Sequence, residues 1–159
     1  MTSSGQPRHD WIIEPTGRLG PIHLGSTRVA VVDALGHPVR SRQSEPLEFL
    51  EYGDLTVMLN SGVVSMVVAN EGYRGATSQG LRPGMAVLDA ERIVGSFWYD
   101  SAESLWRFVG GEHLAVEIVR APREGETPID GEAVAEAYRL SDPRLAVIRR
   151  IYLVDSFAA

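Results

Sequence analysis

The sequence holds no cysteine among its 159 residues, which excludes disulfides, thiolate metal sites and cysteine nucleophiles together. It has no long apolar run either. Residues 1–10 form a polar tail rich in small side chains, without the apolar stretch of a signal peptide or membrane span, so the expected compartment is the cytoplasm and no membrane partner is expected. Basic residues are scarce: 15 Lys and Arg against 21 Asp and Glu give a formal charge of −6. Binding to nucleic acid needs clustered cations that displace phosphate counterions, so nucleic acid is not an expected partner, whereas a protein with a basic surface is.

Catalytic and metal-binding patterns are equally thin. His9, His23, His37 and His113 lack the i, i+4 pairing of a helical metal motif, so neither a metal nor a cofactor is expected. Ser61 lies in a turn, Ser65 in a strand, and no serine sits in a nucleophile elbow. Gly72-Tyr73-Arg74-Gly75 and Gly110-Gly111 lack the strand, helix and lysine context of a phosphate loop. Carboxylates are plentiful, with Glu48, Glu51 and Asp54 near one hairpin and Asp100 and Glu103 after a helix, and the ordinary fate of such groups is solvated surface. No catalytic residue is assigned.

What is present is a repeated punctuation. Gly25 and Gly36 bracket a short helical stretch that Ser26 or Thr27 caps and Gly36 ends, with Pro38 preventing its resumption. At an offset of 59 residues, Gly84 and Gly95 bracket a second such stretch. Leu55, Val57 and Leu59, alternating with Thr56, Met58 and Asn60, read as a half-buried strand, and they map at the same offset onto Leu114, Val116 and Ile118. Pro46–Tyr52 and Val63–Val68 complete an antiparallel meander around Gly53-Asp54 and Asn60-Ser61-Gly62. In the second half, Ala102–Val109 and Leu145–Val154 occupy the corresponding places. Residues 121–131 form a polar insertion, and Glu132–Leu140 reads as either a short helix or a strand.

The expected fold is therefore a single α+β domain over residues 1–159, built from two degenerate repeats. Repeat one covers about residues 20–70 and repeat two about 80–155. Each is a short helix followed by an antiparallel meander, with the helices covering one face of the sheet. The alternation leaves the other face wet, lined by Thr56, Met58, Ser65, Ala115 and Glu117. Arg149 and Arg150, adjacent in the last strand, are expected on opposite faces.

Gly25, Val31, Leu35, Gly36 and Pro38, with Gly84, Val94 and Gly95 as a weaker second copy, resemble the repeat of the β-lactamase-inhibitory protein and of the small lipoprotein of the outer-membrane β-barrel assembly machinery. Similar folds occur among toxin-neutralising immunity proteins. The resemblance implies a non-enzymatic protein that binds its partner through a sheet face. It departs from those families in having no cysteine for a disulfide or a lipid anchor, and Ser96 where a proline would follow the second bracket.

The residue-level expectation for partner binding is Trp98, Tyr99 and Asp100 in the loop after the second helix, Tyr73 and Arg74 in the matching region of the first half, and Met58 and Glu117 on the wet face. Trp106 and Phe108 share a strand parity and are assigned to the core. The leading function is a protein-binding module, an immunity or inhibitor protein of a bacterial toxin that acts by occlusion. The alternatives are a small-molecule binder or enzyme with a pocket between the repeats, using the aromatic cluster with Asp100 or Glu103, and a homodimer formed through an exposed strand edge.

Overall fold

A computed structural model of the chain describes residues 9–120, 129–130 and 146–155. Three short strands, β1 (Ile13–Glu14), β2 (Arg18–Leu19) and β3 (Ile22–His23), open the chain as a small antiparallel sheet. Helix α1 (Arg28–Leu35) follows, then β4 (Arg40–Ser44), β5 (Leu47–Glu51), β6 (Leu55–Asn60) and β7 (Val63–Ala69). The second half contains helix α2 (Val87–Val94), β8 (Trp98–Asp100), β9 (Leu105–Arg107), β10 (Leu114–Arg120), β11 (Ile129–Asp130) and β12 (Ala146–Val154). The strands from β4 to β12 form one nine-stranded antiparallel sheet in the order β4-β5-β6-β7-β12-β10-β9-β8, with β11 paired beside β10.

This architecture corrects the expected α+β class. Among the described residues the structure is predominantly β, and the two helices found there cannot cover the sheet. Each has eight residues, about 12 Å of helix at 1.5 Å per residue, whereas the eight-strand path is roughly 34 Å across at 4.8 Å per strand. The cover is completed by the small N-terminal sheet, whose Ile13, Leu19 and Ile22 are fully buried in the same core cluster as Val31, Val57, Val67, Val116 and Ile151. That sheet is fastened by Ile13 N–H donating to the Ala76 carbonyl and Ser78 N–H donating to Ile13. His9, in the polar tail, is likewise tied to the fold. His9 Nδ1 lies 2.9 Å from Asp54 Oδ1, and the His9 ring stacks on Trp11. Asp54, expected on the surface, is buried.

The two helices occupy equivalent places. Both start and end at residues 59 apart, and both stop at a glycine with positive φ, Gly36 and Gly95. The brackets dock alike as well: Gly25 N–H donates to the Val64 carbonyl at 2.8 Å and Gly84 N–H to the Ile148 carbonyl at 2.7 Å, while Val64 and Ile148 N–H return bonds to Ser26 and Met85. Immediately beyond these anchors each central strand carries an irregularity. The register slips where Ser65 is inserted in β7 opposite Met58/Leu59 and where Arg149 is inserted in β12 opposite Glu117/Ile118.

The second slip corrects the expectation for Arg149 and Arg150. One extra residue lets Ile148 and Ile151 both reach the core, and both arginines then contact Glu117 on the other face. The expected loop at Trp98 and Tyr99 is also a strand, β8. The insertion, the stretch Glu132–Leu140 and Leu145 lie outside the described residues, apart from the pair Ile129–Asp130.

Candidate functional site

Strand alternation divides the large sheet into a core face and an open face. On β6, Leu55, Val57 and Leu59 are fully buried and Thr56 and Met58 are not. Cross-strand register carries that parity outward: Phe49 faces Met58, Met58 faces Met66, Val68 faces Tyr152, and Glu117 faces Arg150. No described helix or small-sheet strand belongs to this face. At its middle, Met58, Met66, Leu105, Glu117, Arg150 and Tyr152 line a cleft of about 690 Å³. A neighbouring depression of about 520 Å³ shares Met66, Arg150 and Tyr152 and continues past Phe49 to Arg42.

The cleft has a fixed ionic centre. The Glu117 side chain, only 13% exposed, accepts from Arg150 Nη1 at 2.9 Å, Arg149 Nη1 at 3.3 Å and the Tyr152 hydroxyl at 2.9 Å. Arg149 also donates from Nε to Glu71 at 2.7 Å. Burial pulls the Arg150 guanidinium down, but its hydrogen bond to Glu117 and that carboxylate's charge outweigh it and hold the group above its usual value. Burial, reinforced by the Glu117 charge, pushes the Tyr152 phenol up to about 12. In the first half the equivalent positions hold Met58, Met66 and Ser65, so one side of the floor is apolar and the other ionic. Such a surface offers dispersion contacts in the middle and directional bonds beside them. Among the described residues, no group of three or more His, Cys, Asp or Glu is placed to hold a metal ion.

Of the residues expected at a partner site, Met58, Tyr99 and Glu117 come together at this cleft. Asp100 is on the neighbouring edge strand, its carboxylate accepting from Ala102 and Glu103 N–H and lying 3.7 Å from Arg107. Trp98, 47% exposed, is on the same strand, while Tyr99 packs its ring on Trp106 at 5.4 Å. Trp106 and Phe108 are buried, as their assignment to the core requires.

Tyr73 and Arg74 do not join them. Tyr73 is buried, and its hydroxyl donates to the Trp11 carbonyl, so it serves to fasten the N-terminal segment. Arg74 is exposed in a separate depression with Arg82, Met85 and Asp89 at the start of α2. Sequence reading missed Met66, Arg149, Arg150 and Tyr152, because the inserted residues at Ser65 and Arg149 break the alternation that would have placed them. No protein-family model matches the chain, and no curated protein or solved structure shows significant similarity to it. No helix among the described residues is long and apolar enough to cross a membrane.

Proposed function

We propose that this chain is a non-catalytic protein-binding module that occludes its partner with the open face of the nine-stranded sheet, as a cytoplasmic immunity or inhibitor protein of a toxin does. The observation that carries the reading is the centre of that face, left uncovered among the described residues, where Met58, Met66 and Tyr152 lie beside the preformed Glu117–Arg149–Arg150 cluster. An apolar middle with a charged margin is the usual anatomy of a binding patch. Side chains already held by mutual bonds also lose less freedom on association. A basic partner surface suits the net charge of −6.

Site-specific photocrosslinking in the source cells tests this. A photoreactive residue at Met58 is expected to capture one protein in high yield, and the same residue at Arg74 to capture none of it. Absence of any product from Met58 would refute the reading. A small molecule is the second candidate for the same cleft, since its lining draws on both halves of the chain. Saturable thermal stabilisation by a metabolite, abolished in Tyr152→Ala, would favour that reading instead.

A further inference from the structure

Strand β4 ends the large sheet on one side, and all five of its residues, Arg40–Ser44, are exposed. Its inner edge pairs with β5 over its whole length without a register slip. The outer edge presents backbone donors and acceptors to which no described strand is joined. β8, at the far end of the strand path, has only three residues. β4 contains no proline and is long enough to template another strand.

Its side chains select what that strand would be. Arg40 and Arg42 stand on the open face, two residues apart. Both turn to one carboxylate: Arg40 donates from Nε and Nη2 to Glu51 at 3.0 and 3.1 Å, and Arg42 from Nε at 3.1 Å. Arg42 also lies 4.8 Å over the Phe49 ring. Two cations against one anion leave an excess positive charge on the rim, and the Arg42 side chain is 57% exposed. Its two terminal nitrogens bond to none of the described residues, so a bidentate site for a carboxylate remains.

We propose that β4 is a docking edge for an extended acidic segment of a partner protein, which adds as the next strand and sets carboxylates two residues apart against Arg40 and Arg42. Main-chain bonds supply affinity in this mode, and alternate side chains supply selectivity. A second copy of β4 is disfavoured by the same charges. Antiparallel pairing centred on Arg42 would set Arg42 against its own counterpart, and like charges directly opposed destabilise a sheet. The arginines thus reject self-pairing and favour an acidic strand. The proposal goes beyond the face-binding reading and requires no contact with Met58, Met66 or Tyr152.

The probe is a blocked heptapeptide of alternating Val and Glu, mixed at millimolar concentration with the full chain while amide hydrogen exchange is followed residue by residue. Exchange at Arg40–Ser44 is expected to slow by roughly tenfold, as for amides newly enclosed in a ladder. Arg42→Glu is expected to weaken binding of this peptide about tenfold and to reverse the preference, so that a blocked heptapeptide of alternating Val and Lys binds better. Should Arg42→Glu fail to fold, Arg42→Gln keeps the test, with a smaller loss in the same direction. Unchanged exchange at β4, or equal binding of the Glu and Lys peptides, would overturn the proposal and leave the arginines as guards against aggregation. Met58→Lys, which is aimed at the open face, leaves the peptide effect on β4 intact, so the two readings fail separately.

Discussion

At the residue scale, Glu117 with Arg150 in the second half and Met58 with Met66 in the first fill equivalent places with opposite chemistry. Both pairs sit opposite each other just before a register slip, on the same face of the sheet. One is an ion pair and the other apolar, so the fold accepts either solution at this place. Removing one charge alone leaves the other without its partner, which costs more than replacing both by side chains of similar volume. Glu117→Met is expected to destabilise by about 1–2 kcal/mol, discounted because Arg149 and Arg150 each remain about a third exposed. Adding Arg150→Met should recover most of that loss. Urea unfolding of the two single variants and the double variant measures the coupling, and strictly additive losses would show that the pair is not the unit that matters.

At the element scale, the two helices share their length and glycine stops but differ at their starts. Thr27 Oγ1 accepts from Ala30 N–H at 3.3 Å, whereas Ala86, in the same extended conformation before α2, makes no side-chain cap bond. A hydroxyl at a helix N-cap satisfies one of the orphan donors of the first turn. Thr27→Ala should therefore cost about 1 kcal/mol and Ala86→Ser should add about 0.5–1 kcal/mol, read as opposite shifts of the urea midpoint. These helices were legible in the sequence because glycine brackets and caps act within a few residues. The strands β5, β6 and β7 were legible for the same reason, through alternation and turn residues. β4 was not, since Arg-Ser-Arg-Gln-Ser has no apolar member and is held in the sheet by pairing with β5 and by Glu51. The slips at Ser65 and Arg149 escaped because an inserted residue is defined by its partner strand, which lies far away in the chain. The candidate site suffered accordingly: Met58 and Glu117 could be placed from local alternation, but the two arginines and Tyr152 that complete it could not.

At the scale of the whole molecule, the halves meet where β7 pairs with β12, and tyrosines secure separate regions of the structure. The Tyr52 hydroxyl donates to the Gly36 carbonyl at the end of α1, Tyr73 fastens the N-terminal segment, and Tyr152 lies in the joining strand. Burial is the main cause that raises all three phenols above their ordinary value of 10.0, with Tyr152 pushed up to about 12. Each is an acid whose proton is held more tightly in the folded chain than in the unfolded one. Below pH about 10 both states keep these protons, and the stabilisation is fully present. As the pH rises from about 10 toward 12, the unfolded state releases them first, and folding stability falls. An alkaline titration that follows phenolate absorbance and far-ultraviolet dichroism together is expected to show fewer than the 5 tyrosines of the chain ionising while the ellipticity persists. The remainder should then titrate together as the sheet unfolds. Tyr152→Phe should reduce the steepness of the stability loss above pH 10, because one of the late protons is gone. Ionisation of every tyrosine with the ellipticity unchanged would mean that these hydroxyls do not bind the structure together.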